Sequence, residues 1–209
     1  MRKMPMDSEE KYRLSFTGAS LMLPEMAALA HAFLTQKDQA IDKAAIIKGQ
    51  KAKTINVQFR ELRLRVEALT TKQMEILASS DTASQRHIAL LSVCKAYSFI
   101  REFVVEVLRE KVQGFDYQLS EGDYIAFSRR KSLDHPELEN LTEKSAIKIK
   151  QVTLKILEQT GLIDNIKSKR ISPQLIDRAV VRAIAEDNAD WLKIFLISDR
   201  ELDASNSIA

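Results

Sequence analysis

Thr142-Glu143-Lys144-Ser145-Ala146-Ile147-Lys148-Ile149-Lys150-Gln151-Val152-Thr153-Leu154-Lys155-Ile156-Leu157 opens a stretch that runs on to Arg182, and its periodicity decides the fold. At 100° per residue, Ala146, Ile149, Thr153, Ile156 and Leu157 share one face. Lys144, Lys148, Gln151 and Lys155 line the opposite face. Thr142 is the expected N-cap and Gly161 the stop. Beyond Gly161, Leu162-Ile163 and Ile166 to Ile171 are short β-compatible runs around an Asp164-Asn165 turn signal. The cluster Lys167-Ser168-Lys169-Arg170 sits at their tip, so a short β-hairpin is expected near 162–171. Ser172 and Pro173 then read as the cap and first position of a helix through Glu186. A basic-faced helix, a basic hairpin and a following helix make a winged helix-turn-helix pattern.

A solvated surface helix also carries one apolar and one lysine face, and charge distribution separates the two readings. The formal charge is only +3 over 209 residues. Over residues 43–72, however, eight Lys and Arg face two Asp and Glu, and over 144–182 nine face three. The remainder of the chain is net acidic. Two basic windows on an acidic chain are the electrostatic footprint of an anionic polymer partner. They suit acidic proteins and lipids too.

Upstream, Pro24 marks the first turn of a helix through Leu34, and a second is expected from about Asp38 to Ile47. A third starts at Thr54, with Ile55, Phe59, Leu62, Val66 and Leu69 on its apolar arc. Asn56, Arg60 and Arg63 fall on its far side, with Lys51 and Lys53 just ahead. Thr70 to Gln73 reads as a capping box for a helix ending near Ser79. Asp81 then caps a long central helical region, broken near Tyr97 and stopped by Gly114. A helix from Glu121 to Lys131, a short one at Pro136–Asn140 and the basic-faced helix form a second helical triad. A last helix is expected from about Asn188 to Ile197. The fold class is therefore all-α, with two helix-turn-helix-like triads around the central region. Its divisions are a flexible N-terminus (1–14), an N-terminal helical lobe (15–115), a winged-helix-like lobe (116–198) and a disordered tail (199–209).

Hydrophobic content of 45% and charged content of 29% are ordinary for a globular chain. The single cysteine, Cys94, excludes an internal disulfide. His87 and Cys94 share a helix face, but two groups do not make a metal site, and core packing is expected. No phosphate loop, dinucleotide fingerprint or nucleophile motif is present, so neither enzymatic activity nor a cofactor is expected. No apolar run reaches the roughly 18 to 20 residues of a membrane span, and a cytoplasmic protein is expected.

Three segments resemble one family. Tyr12-Arg13-Leu14-Ser15-Phe16-Thr17-Gly18-Ala19-Ser20-Leu21-Met22-Leu23-Pro24-Glu25 is similar to the N-terminal signature of BrxA, a component of BREX bacteriophage-exclusion defence systems. Arg60 to Leu69 and Lys148 to Ile163 are similar as well. The family is likened to NusB-type antitermination proteins. The resemblance implies nucleic-acid binding within a defence complex, with other BREX components as partners. It carries over no functional residues. Periodicity and charge nominate Lys51, Lys53, Asn56, Arg60, Arg63, Lys144, Lys148, Gln151, Lys155, Lys167, Lys169 and Arg170 as nucleic-acid contacts. Double-stranded DNA is the favoured partner, RNA stays open, and no membrane is implied.

Overall fold

Capping residues set where the helices begin. The computed structural model describes residues 11–35 and 41–200. After a 3-10 turn at Ser15–Gly18, α1 spans Leu23–Thr35. α2 is one turn, Lys43–Ile46, capped by the Asp42 carboxylate on Ala44 N. The expected start at Asp38 lies outside the described residues. α3 (Ala52–Glu67) begins two residues earlier than expected. α4 (Thr71–Ser79) carries the full capping box, with the Thr70 hydroxyl on Gln73 N and the Gln73 side chain on Thr70 N. Asp81 caps α5 (Thr82–Ala96) through the amides of Ala83 and Ser84. Tyr97, at φ −134° and ψ 98°, breaks the long helical region where the sequence places the break. α6 (Ser98–Phe103), a π-helical stretch (Val104–Arg109) and α7 (Glu110–Gln113) then run on without interruption.

The second half repeats this logic. Ser120 and Asp123 form a capping box for α8 (Glu121–Ser132). Pro136 takes the first position of α9 (Pro136–Glu139), and Thr142 caps α10 (Glu143–Thr160). Gly161 ends α10 at φ 83°, a left-handed position that favours glycine. α11 spans Arg178–Asn188, and a 3-10 turn, Ala189–Phe195, takes the place of the helix expected from about Asn188 to Ile197.

Two further expectations change. The segment 162–171 forms no strand, only isolated antiparallel bridges between Ile163 and Ile171 and between Gln118 and Arg170. Asn165 Oδ1 accepts from Lys167 N and Ser168 N, and Lys169 adopts φ 52°, so the tip is a tight polar turn that leaves no room for a ladder. The helix expected at Pro173 starts instead at Arg178, because the Asp177 carboxylate, not Ser172, caps the free amides. Residues 173–177 are held extended by Gln174, whose amide donates to Gly161 O and Ser172 O at 2.7 Å each.

α5 is the hub. Every residue from His87 to Cys94 is buried, as a helix surrounded by partners requires, and α5 touches α1, α3, α4, α6, α10 and α11. One hydrophobic cluster runs from Tyr12 to Leu196, so α10 packs its inner face into the same core as α1 and α3. Phe99 and Phe103 stack edge-on against Tyr124 and lie against Phe127, which joins α6 to α8.

Candidate nucleic-acid interface

Alternation along α10 leaves two unlike faces. Ile149, Val152, Thr153, Leu154, Ile156, Leu157 and Thr160 are buried. Lys144, Lys148, Gln151 and Lys155 are all exposed. Glu143 to Lys148 stand clear of the core, Ile147 included at 48% exposure, so the first turn and a half projects. Lys144, Ser145 and Lys148 line a surface depression of about 300 Å³ with Leu14, Thr17, Leu141 and Ile149. Lys155 is engaged by Glu158 at 2.5 Å, which holds the Glu158 carboxyl below its usual range and weakens Lys155 as a free cation.

The loop after α10 is rigidified by its own carboxylate. Asp164 accepts from Ser168 Oγ at 2.6 Å and from the amides of Asn165 and Arg170, and these bonds lower its pKa. The Glu158 carboxylate also accepts from Ile166 N, which ties the loop to the end of α10. Lys167 and Arg170 are exposed and Lys169 half-buried. Among the described residues, no carboxylate lies within ion-pair distance of Lys144, Lys148, Lys167, Lys169 or Arg170.

The first basic window differs. Lys51, Lys53, Asn56, Arg60 and Arg63 are all exposed on α3 or at its start. Arg60 bonds Glu61 at 3.2 Å, Arg63 bonds Glu67 at 2.7 Å, and Asn56 accepts from Lys43 at 3.3 Å. Lys72 pairs with Glu186, and Arg65 is wholly buried. Arg60, Arg63, Arg65 and Lys72 are thus engaged within the protein, while Lys48, Lys51 and Lys53 make no ion pair among the described residues. The two windows approach one another through the turn at Ser15–Gly18. α3 packs on it through Glu61, which accepts from Ser15 Oγ at 2.8 Å, and α10 packs on it from the side of Lys144 and Lys148.

Sequence reasoning passed over two groups. Arg178 and Arg182 are exposed on α11 and make no ion pair among the described residues, and their place in the basic window is the signal that names them. Segment 117–119 lies against the 169–171 loop, a long-range pairing no local pattern carries. His87 and Cys94 are both buried in the core, and burial pushes the Cys94 thiol up to about 12, far from a reactive thiolate.

A second set of charges is internal. Arg65 donates to Ser20 O at 2.6 Å, Ala19 O at 2.7 Å and Tyr97 Oη at 3.2 Å, and Tyr97 Oη donates to Glu61 at 2.9 Å. Burial, foremost, raises the Tyr97 pKa to about 12. Across the core, Lys131 meets Glu102 and Glu106 at 2.6 Å each, and Tyr12 Oη donates to Glu102. Burial works against the Lys131 charge, yet its two carboxylates raise its pKa.

Helices throughout, paired charges inside the core and cations unpaired among the described residues on one long helix and its loop define an all-helical chain with a basic face. This chain belongs to the BrxA family, whose model matches residues 10–188. It is 27% identical over 121 residues to the BREX protein BrxA of Bacillus cereus strain H3081.97, a match covering 57% of this chain and 60% of that protein's length. Its fold is similar to the crystal structure of an uncharacterized protein from Magnetospirillum magneticum. The TM-score is 0.76 at 18% identity, over 90% of this chain and 98% of the other. No helix among the described residues is long and apolar enough to cross a membrane.

Proposed function

We propose that this chain binds double-stranded DNA through its phosphates, as a non-enzymatic accessory of a BREX phage-defence system in the cytoplasm. In this reading α8, α9 and α10 act as a helix-turn-helix-like unit, α10 lies along the duplex, and the 164–170 loop serves as its wing. Lys144, Lys148, Gln151, Lys167, Lys169 and Arg170 make the principal contacts. Lys51, Lys53, Asn56, Arg60, Arg63 and Lys155 make a second and weaker set. The observation that carries the reading is the contrast in pairing: buried charges have partners, while five cations on α10 and its loop have none among the described residues. Phosphates are the partners such lysines and arginines take. Membership of the BrxA family supports placement beside other BREX components.

The test is fluorescence anisotropy of the whole chain with a labelled duplex. Lys144→Gln with Lys148→Gln weakens binding to every sequence alike, by about tenfold or more at low salt, with an unchanged melting temperature. Wild-type affinity in that variant would assign the face to an acidic protein partner instead.

A further inference from the structure

Beside the basic loop stand two aromatic side chains that no core contact explains. Phe115 is 84% exposed and Tyr117 38% exposed. Neither ring meets another aromatic ring or a cation among the described residues. Their segment is tied to the loop by Ile171 N to Tyr117 O at 2.8 Å, Leu119 N to Lys169 O at 3.1 Å and Gln118 Nε2 to Ser168 O at 2.6 Å. Across this pairing Gln118 faces Arg170, and both are exposed.

The aromatic segment is held rather than loose. Phe115 N donates to Val112 O and Asp116 N to Lys111 O at the end of α7, and Phe115 sits at φ 58°, a conformation a bulky residue seldom takes. Asp116 accepts from Lys111 at 2.5 Å and from Gln118 N at 2.9 Å. Asp116 and Asp164 are therefore engaged within their own loops, Asp123 is held by Lys111 and Ser120, and Glu158 by Lys155 and Ile166 N. The paired segments thus expose the Phe115 ring, part of the Tyr117 ring and the cations Lys167 and Arg170, with Lys169 half-buried beside them.

Aromatic faces beside unpaired cations are the elements of single-strand recognition, rings for bases and cations for phosphates. An intact duplex hides its base faces, and only an unpaired or kinked step exposes them. We propose that Phe115 and Tyr117 stack on unpaired bases of DNA whose flanking phosphates are held by Lys167, Lys169 and Arg170. This rests on the DNA-binding reading above. It adds to that reading a preference for duplex interrupted by unpaired nucleotides.

The experiment compares two labelled probes with the whole chain: a perfect duplex, and the same duplex with a central unpaired bubble containing a fluorescent purine analogue. Wild type binds the bubble tighter by about tenfold, the scale of one stacked base, and quenches the analogue. Phe115→Ala with Tyr117→Ala loses both the preference and the quenching while keeping its affinity for the perfect duplex. Phe115→Trp with Tyr117→Trp restores them. Both rings lie at the surface, so the core survives their removal, and an unchanged melting temperature verifies that. Equal wild-type affinity for both probes overturns this inference and leaves the duplex reading standing. Binding to neither probe overturns the duplex reading and this inference with it.

Discussion

Arg65 shows how far a residue's role departs from its charge. The sequence counts it in a basic window, yet it is wholly buried and spends its guanidinium on the carbonyls of Ala19 and Ser20 and on Tyr97 Oη. Those carbonyls belong to the segment Tyr12 to Glu25 that carries the family resemblance. The same segment bonds Glu61 through Ser15, donates from Leu21 N to Gln159 Oε1, and stacks Tyr12 on His135 with ring centroids 3.6 Å apart. Its job is structural: it straps α3, α10 and α9 together. A buried charge network is costly to break from one side, because the partner stays buried and unpaired. Arg65→Met is expected to cost about 3–5 kcal/mol in urea denaturation. Arg65→Lys recovers only part of this, since an ammonium cannot span the same forked set of acceptors. A loss in Arg65→Met below about 1 kcal/mol, the scale of one ordinary hydrogen bond, would show that apolar contacts alone hold the strap.

Helix boundaries were legible wherever a cap and a stop are local. The capping box at Thr70, the caps at Asp81 and Thr142 and the glycine at 161 all act as the sequence indicates. Legibility failed at 173–177, where Pro173 and Ser172 mimic a helix start but Gln174 is held by Gly161 O across the loop. It failed also at 162–171, where one of the two isolated bridges joins Arg170 to Gln118, far upstream in the chain. α5 also packs directly on the final 3-10 turn. His87 of α5 sits at that junction, edge-on to Phe195 at 5.6 Å, with its Nδ1 buried and without a hydrogen-bond partner. Burial, the largest cause, lowers its pKa, and Asp81 and Gln174 only partly oppose this. The sign follows directly. Below the ordinary value of 6.5 the unfolded chain takes up a proton that the folded chain refuses, so stability falls as pH falls. Between pH 6.5 and the lowered folded value the loss approaches about 1.4 kcal/mol per pH unit. His87→Phe is expected to flatten this dependence in denaturation curves recorded between about pH 7 and pH 5.5, a window set by the ordinary His value. An identical slope in the variant would move the titration to another group.

At the scale of the whole molecule, charge is sorted by pairing rather than by position in the chain. The sequence gives both basic windows the same excess of Lys and Arg over Asp and Glu. Folding makes them unequal. In the first, Arg65 is buried and Arg60, Arg63 and Lys72 have carboxylate partners, while Lys43, Lys48, Lys51 and Lys53 have none among the described residues. In the second, Lys150 meets Glu121 and Lys155 meets Glu158, but Lys144, Lys148, Lys167, Lys169 and Arg170 stay unpaired among the described residues. Periodicity could place a lysine on an outer face, because that depends on its own helix. It could not tell whether a carboxylate from elsewhere would reach it, as Glu186 reaches Lys72 from 114 residues away. Counterion release turns this difference into a measurable slope. Five phosphate contacts give a log–log dependence of affinity on salt near −4.5, or about a five-hundredfold loss between roughly 50 and 200 mM. Lys144→Gln with Lys148→Gln should flatten it to about −2.7, and replacing Lys167, Lys169 and Arg170 by Gln to about −1.8. Arg60→Gln with Arg63→Gln should change it by less than about one unit, since Glu61 and Glu67 already neutralise those charges. A wild-type slope shallower than about −2 would mean that the five cations do not meet phosphates together. A slope that answers to Arg60 and Arg63 but not to Lys144 and Lys148 would move the interface to α3.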